Sequence, residues 1–138
     1  MEVRFPDIPA YRSWARPLRT ESTIEGLELI EGQVPETLDG TWYRAGPDRQ
    51  YPPMLGTDIF IDGEGMAHMF RIRDGAVSYR SRWVRNDRFN AQAAAGRSLF
   101  GLCRNRFTDD PTVAGVSGGT ANTNVIFHNG RLLVLKED

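Results

Sequence analysis

Two glycine dipeptides constrain the fold of this chain more than any other feature. Asp74-Gly75 and Asn129-Gly130 each stand between two short runs rich in apolar residues. Such dipeptides readily take the positive φ angles of a type I′ turn, so each predicts a two-residue β-hairpin. In the first, Arg73 then pairs with Ala76, Ile72 with Val77 and Phe70 with Tyr79. This register places Phe70, Ile72, Val77 and Tyr79 on one face, and Arg71, Arg73, Ser78 and Arg80 on the other. In the second, the strand through Leu132-Leu133-Val134-Leu135 is expected to run into the interior and end on Lys136-Glu137. Extending the pairing sets Thr123 opposite Lys136, sharing its face, and Asn122 opposite Glu137.

Other segments are short and separated by turns. Residues 1–26 mix proline, arginine and aromatics without period and predict an irregular arm. Residues 27–32 and 41–44 predict strands, the second stopped by Gly46-Pro47. The alanine-rich stretch 90–97 predicts a helix of about two turns. Residues 101–120 predict a long polar loop. Many short strands between Gly and Pro turns indicate an all-β sandwich, barrel or propeller.

Composition narrows the partners. A net charge of −1 over 138 residues gives no electrostatic reason to expect nucleic acid. No apolar run reaches the roughly 18 residues of a membrane-spanning helix, and the first residues lack a signal core. A single cysteine, Cys103, favours a reducing, cytoplasmic location.

Few residues look chemical by spacing alone. His68 and His128 are too far apart in sequence to suggest a metal site. His68 reads as a buried histidine bonded to backbone, and His128 as an exposed turn residue. Asp58, Asp62 and Glu64 lack EF-hand spacing and read as turn chemistry. Cys103, followed by Arg104 and Arg106, reads as either a packed thiol or an activated one. Lys136 is the only lysine in the chain. With Glu137 it reads either as a charged strand end that discourages edge pairing or as a site.

Several segments together resemble the carotenoid cleavage oxygenases. Gly40-Thr41-Trp42-Tyr43-Arg44-Ala45-Gly46-Pro47-Asp48 is similar to their "G-x-Y-x-R-N-G-P-N/D". Phe60-Ile61-Asp62-Gly63-Glu64-Gly65-Met66-Ala67-His68 is similar to "F-D-G-D-G-M-x-H". Val77 to Arg85 is similar to "V-S-Y-R-x-R-Y-V-R", and Ala121 to Leu135 to "A-N-T-N-V-x-x-H-x-G-x-L-L-A-L". The likeness covers roughly residues 27–138. Leu135-Lys136-Glu137 resembles the "L-K-E" of the lignostilbene dioxygenase branch, as does Leu99-Phe100-Gly101 with the segment that follows it.

The resemblance implies a seven-bladed β-propeller, of which this chain would be the N-terminal blades, 27–138, behind the arm 1–26. It implies a non-haem Fe(II) dioxygenase that cleaves a conjugated C=C bond of a small aromatic substrate with O2, giving two aldehydes. Its iron is held by four histidines, some oriented by glutamates, and none of those ligands matches a residue here. Glu137 matches an orienting glutamate. Thr123 matches a residue that limits access to the open iron site. Lys136 matches the lysine that meets the substrate phenol. Phe60 and Cys103 are substrate-pocket candidates, and Cys103 stands where the stilbene branch usually has tyrosine. An apocarotenoid-cleaving enzyme and a non-catalytic β-module are the alternatives.

Overall fold

A computed structural model describes residues 4–56 and 59–137. Its elements are a one-turn helix α1 (Pro9–Arg12), strands β1 (Ser22–Ile24), β2 (Gly40–Asp48), β3 (Glu64–Arg73) and β4 (Ala76–Trp83), helix α2 (Asp87–Ala95), and strands β5 (Asn124–His128) and β6 (Arg131–Leu135). The expected all-β class holds. One antiparallel sheet has the order β1-β4-β3-β2, and β5-β6 form a separate pair.

Both hairpins form in the expected register. Ile72 pairs with Val77 and Phe70 with Tyr79 across Asp74-Gly75. Val125 pairs with Val134 and Phe127 with Leu132 across Asn129-Gly130. All four turn residues have positive φ, between 46° and 74°, as a type I′ turn requires. Trp42 joins the first hairpin from β2, opposite Phe70. Its ring centroid lies 5.4 Å from Phe70, and Phe70 lies 4.9 Å from Tyr79. Cross-strand aromatic pairs of this kind pin the sheet register.

Several expectations fail for reasons of partner choice. Residues 27–32 form no strand. The strand lies earlier, at β1, where Ser22, Thr23 and Ile24 pair with Ser81, Arg80 and Tyr79. Ile30 is instead 94% exposed. The second strand does not stop at Gly46-Pro47 but continues to Asp48. β2 is an edge strand, so the absent N–H of Pro47 can face outward without breaking a ladder. Helix α2 begins three residues earlier than the alanines indicate. The Asn86 side chain caps it by accepting from the Phe89 amide at 2.9 Å, and Gly96 ends it with φ 67°. β6 is not interior: Leu132, Leu133 and Leu135 are all exposed. His68 bonds a side chain, not backbone, with Nδ1 2.8 Å from the Tyr79 hydroxyl. Its pKa is lowered, first by burial and then by Arg44.

The apolar core is small. Leu99, Phe100 and Val113 pack together, with Ala91 and Val116 against them. Beside it lies a polar core. Glu64, 3% exposed, accepts from Arg88 Nε at 2.9 Å, Gln92 Nε2 at 2.6 Å and the Gln50 amide at 2.9 Å. Gln92 in turn accepts from the Leu99 amide at 2.9 Å. Buried ions need such complete pairing, and here it ties β3 to α2 and to the loop after α2.

Asp48 anchors the N-terminal arm. Its carboxylate accepts from the amides of Leu18 at 3.0 Å and Arg19 at 3.3 Å. Burial pushes its pKa from 3.8 up to about 6, against the two amide bonds, with Glu64 adding to the rise. Between these values the folded state holds a proton that the unfolded chain has released. Stability therefore falls as pH rises through this window, and the whole penalty is present above about 6. The window corresponds to at most about 3 kcal/mol. Asp48→Asn cannot titrate, so thermal melts from about pH 4 to pH 8 should show a flatter profile than the parent's. Parallel profiles would show that Asp48 is not the source of the slope.

Candidate functional site

Phe60, Cys103, Thr123 and Glu137 come from three separate segments and line one cavity of about 620 Å³. Pro47, Ile59, Ile61 and Leu102 complete an apolar wall, and Asp62, Arg104, Thr120 and Asn122 bring polar groups to it. A mostly apolar hollow with a few polar groups is the form a small aromatic ligand needs. A smaller cavity of about 100 Å³ adjoins it. Lys136 lines the smaller one, whereas Cys103, Thr120 and Glu137 line both.

The strand ends set this division. The β5-β6 ladder stops at Asn124 opposite Leu135. Beyond it the Thr123 amide donates to the Leu135 carbonyl at 3.1 Å. The expected Thr123–Lys136 and Asn122–Glu137 pairs therefore do not continue the ladder. Thr123 shares the larger cavity with Glu137, and Lys136 turns into the smaller one. Successive residues of an extended chain point to opposite sides, so Glu137 reaches the larger cavity and Lys136 does not. The Lys136 chain lies along Gly119, where a Cβ would sit 3.0 Å from its Cδ and 3.6 Å from its Nζ. Asn122 is bonded to the segment around the 3₁₀ turn. Its side-chain amide donates to the carbonyls of Ile61 at 2.7 Å and Gly63 at 2.8 Å.

One carboxylate holds two walls together. Asp62 is 1% exposed. Its Oδ1 accepts from the Cys103 amide at 2.7 Å and its Oδ2 from the Ile59 amide at 2.8 Å, with Arg49 Nη2 3.7 Å away. The 3₁₀ turn at 60–62, which carries Phe60, is thus tied to the loop that carries Cys103. Arg88 adds a bond from Nη2 to the Asp62 carbonyl at 2.6 Å. By spacing alone Asp62 reads as turn chemistry. The signal for it was its place in the Phe60–His68 motif, not its spacing from other acids. Asp58 lies outside the described residues.

Asp62→Ala would remove the side-chain acceptor of the Ile59 and Cys103 amides and the carboxylate that faces Arg49. A cost of about 2–4 kcal/mol is expected, with a smaller one for Asp62→Asn, which keeps one acceptor oxygen. Denaturant unfolding of the two variants checks this, and equal, near-zero costs would contradict it.

Among the described residues no group of three His, Cys, Asp or Glu could hold a metal ion. His68 is engaged with Tyr79, and His128 closes the β5-β6 turn opposite Arg131. The residues present do not fit an iron site by themselves. Nor is any described helix long and apolar enough to cross a membrane.

Residues 15–138 match the family described as "Retinal pigment epithelial membrane protein", which includes the carotenoid oxygenases. The chain belongs to that family. It is 46% identical over 136 residues to lignostilbene-alpha,beta-dioxygenase isozyme III of Sphingomonas paucimobilis, covering 99% of this chain and 28% of that protein. It is also 46% identical to resveratrol cleavage oxygenase 1 of Chaetomium globosum, covering 99% of this chain and 23% of that one. Among solved structures, the lignostilbene dioxygenase of Pseudomonas brassicacearum superposes with a TM-score of 0.89 at 49% identity, over 99% of this chain and 28% of that chain. The chain thus has the fold of part of a carotenoid oxygenase propeller and spans about a quarter of its relatives' length.

Proposed function

We propose that the full-length protein is a dioxygenase that cleaves the central double bond of a hydroxylated stilbene, and that this chain supplies one wall of its substrate cavity. The observation that carries the reading is the convergence of Phe60, Cys103, Thr123 and Glu137 on one largely apolar cavity, with Lys136 immediately behind it. The 46% identity to a lignostilbene and a resveratrol cleaving oxygenase supports the same substrate class.

Each residue has a separate task. Phe60 offers an aromatic edge or face to a substrate ring. Lys136 brings an ammonium toward a phenol oxygen. An ammonium stabilises a phenolate, and the phenolate releases electron density into the conjugated double bond. Thr123 bounds the reacting end of the cavity. Glu137 accepts the ring N–H of a histidine outside this chain and holds its orientation. Iron(II), carried by residues beyond this chain, supplies the oxygen chemistry when bound. One O2 is consumed, the C=C bond breaks, and each carbon leaves as an aldehyde. A single cysteine in 138 residues suits a reducing cytoplasm for this protein.

Product analysis tests the reading. The full-length protein, supplied with iron(II), air and 4-hydroxystilbene, should yield 4-hydroxybenzaldehyde and benzaldehyde in equal amounts, and neither product without oxygen. Cleavage of apocarotenals with no action on hydroxystilbenes would assign the other substrate class. No cleavage of either would remove the enzymatic reading.

A further inference from the structure

The N-terminal arm reaches the back of the cavity wall. Trp14 meets Phe60 edge to face, with ring centroids 4.7 Å apart and planes at 78°. A narrow hollow of about 110 Å³ lies on the arm side of this contact, lined by Trp14, Tyr11, Arg44 and Asp48 among others. Phe60 and Pro47 line both this hollow and the large cavity. They are a partition, with substrate space on one side and the arm on the other. The arm is fastened close by. Asp48 follows Pro47 in β2 and accepts from the Leu18 and Arg19 amides, and Arg19 Nε donates to the Gln50 carbonyl at 3.2 Å.

We propose that Trp14 is a positioning residue that seats Phe60 in the partition and thereby sets the width of the substrate cavity. The role of that width in catalysis rests on the function proposed above; the bracing itself does not. Phe60 is 46% exposed and its 3₁₀ turn is a single turn, so its backbone alone does not fix the ring. Without Trp14 the ring is free to swing into the hollow. The cavity then widens, and Cys103, which lines it, becomes more accessible.

Cys103 provides a readout that needs no activity. In the full-length protein, its alkylation by iodoacetamide is followed at the Cys103 peptide by mass spectrometry. Trp14→Ala should raise this rate roughly 2- to 12-fold, the factor that corresponds to one aromatic pair. Trp14→Phe, which keeps a ring, should restore most of the parent rate. Phe60→Ala should raise the rate as well, and adding Trp14→Ala to it should change little more, because the two act through one contact. If Trp14→Ala does not fold, Trp14→Leu and Phe60→Leu complete the same cycle. In the functional arm, Trp14→Ala should shift the kcat/KM ratio toward ring-methoxylated stilbenes over 4-hydroxystilbene, chiefly through KM. An unchanged Cys103 rate in a folded Trp14 variant, or additive effects in the double variant, would overturn the proposal. Failure of the parent to cleave any stilbene would strike the functional reading alone, since the alkylation cycle still decides the brace.

Discussion

Replacing Lys136 with methionine in the full-length protein is expected to lower kcat/KM for 4-hydroxystilbenes by roughly 10- to 150-fold. Methionine keeps much of the length and volume but removes the charge and the N–H donors. A hydrogen bond to a charged group contributes about 1.5–3 kcal/mol, which gives that range. Lys136 lines the small cavity that shares Cys103, Thr120 and Glu137 with the large one. Its stem lies along Gly119, where a side chain would crowd it. On the function proposed above, this ammonium is the group that meets a ring hydroxyl of the substrate. Stilbenes lacking that hydroxyl should be poor substrates of the parent and little affected by the change. Equal losses on hydroxylated and unhydroxylated stilbenes would make Lys136 structural. Steady-state kinetics on matched substrate pairs decide between these outcomes.

The larger effect on folding is expected at Gly65. A Cβ there would lie 1.8 Å from the Ala121 carbonyl oxygen and 2.9 Å from that of Thr120. Both clashes are with backbone, so no side chain can rotate away. The Gly65 amide also donates to the Thr120 carbonyl at 2.7 Å. This contact joins β3 to the segment that enters β5, and it brings Asn122 over the 3₁₀ turn. Gly65→Ala must push β3 and the 120–121 segment apart, at a cost of about 4 kcal/mol or more, among the largest for a point substitution. The variant should be insoluble or melt far below the parent. Gly40→Ala meets nothing within 4 Å and serves as the control. A Gly65→Ala protein with the parent's melting temperature would refute the close approach.

The parts of the fold that were legible in the sequence are those decided locally. Asp74-Gly75 and Asn129-Gly130 specify both turn and register, because a two-residue loop leaves only one pairing. β1 and the far half of β2 were not legible. Their extent depends on β4 and β3, which come much later in the chain, and no local pattern carries that choice. The alanine run does not mark the start of α2, because the Asn86 cap sets it.

The site divides in the same way. Phe60, Cys103, Thr123 and Glu137 were named from motif resemblance, and the fold brings them to one cavity. Lys136 was expected on the face of Thr123. It lies in the neighbouring cavity, because the ladder ends one pair earlier than the simple register continues. The sequence does not mark the groups that hold the walls in place. Asp62, Glu64, Arg88, Gln92 and Asn122 are ordinary polar residues in sequence. Their importance arises from burial and from bonds that span 24 to 61 residues.

The most direct test of the account is a crystal structure of the full-length protein with a hydroxystilbene bound in the absence of oxygen. One ring is expected against Phe60, the phenol oxygen directed to Lys136 past Cys103, and the double bond near Thr123. A stilbene bound elsewhere, with this cavity filled by the protein's own side chains, would contradict it.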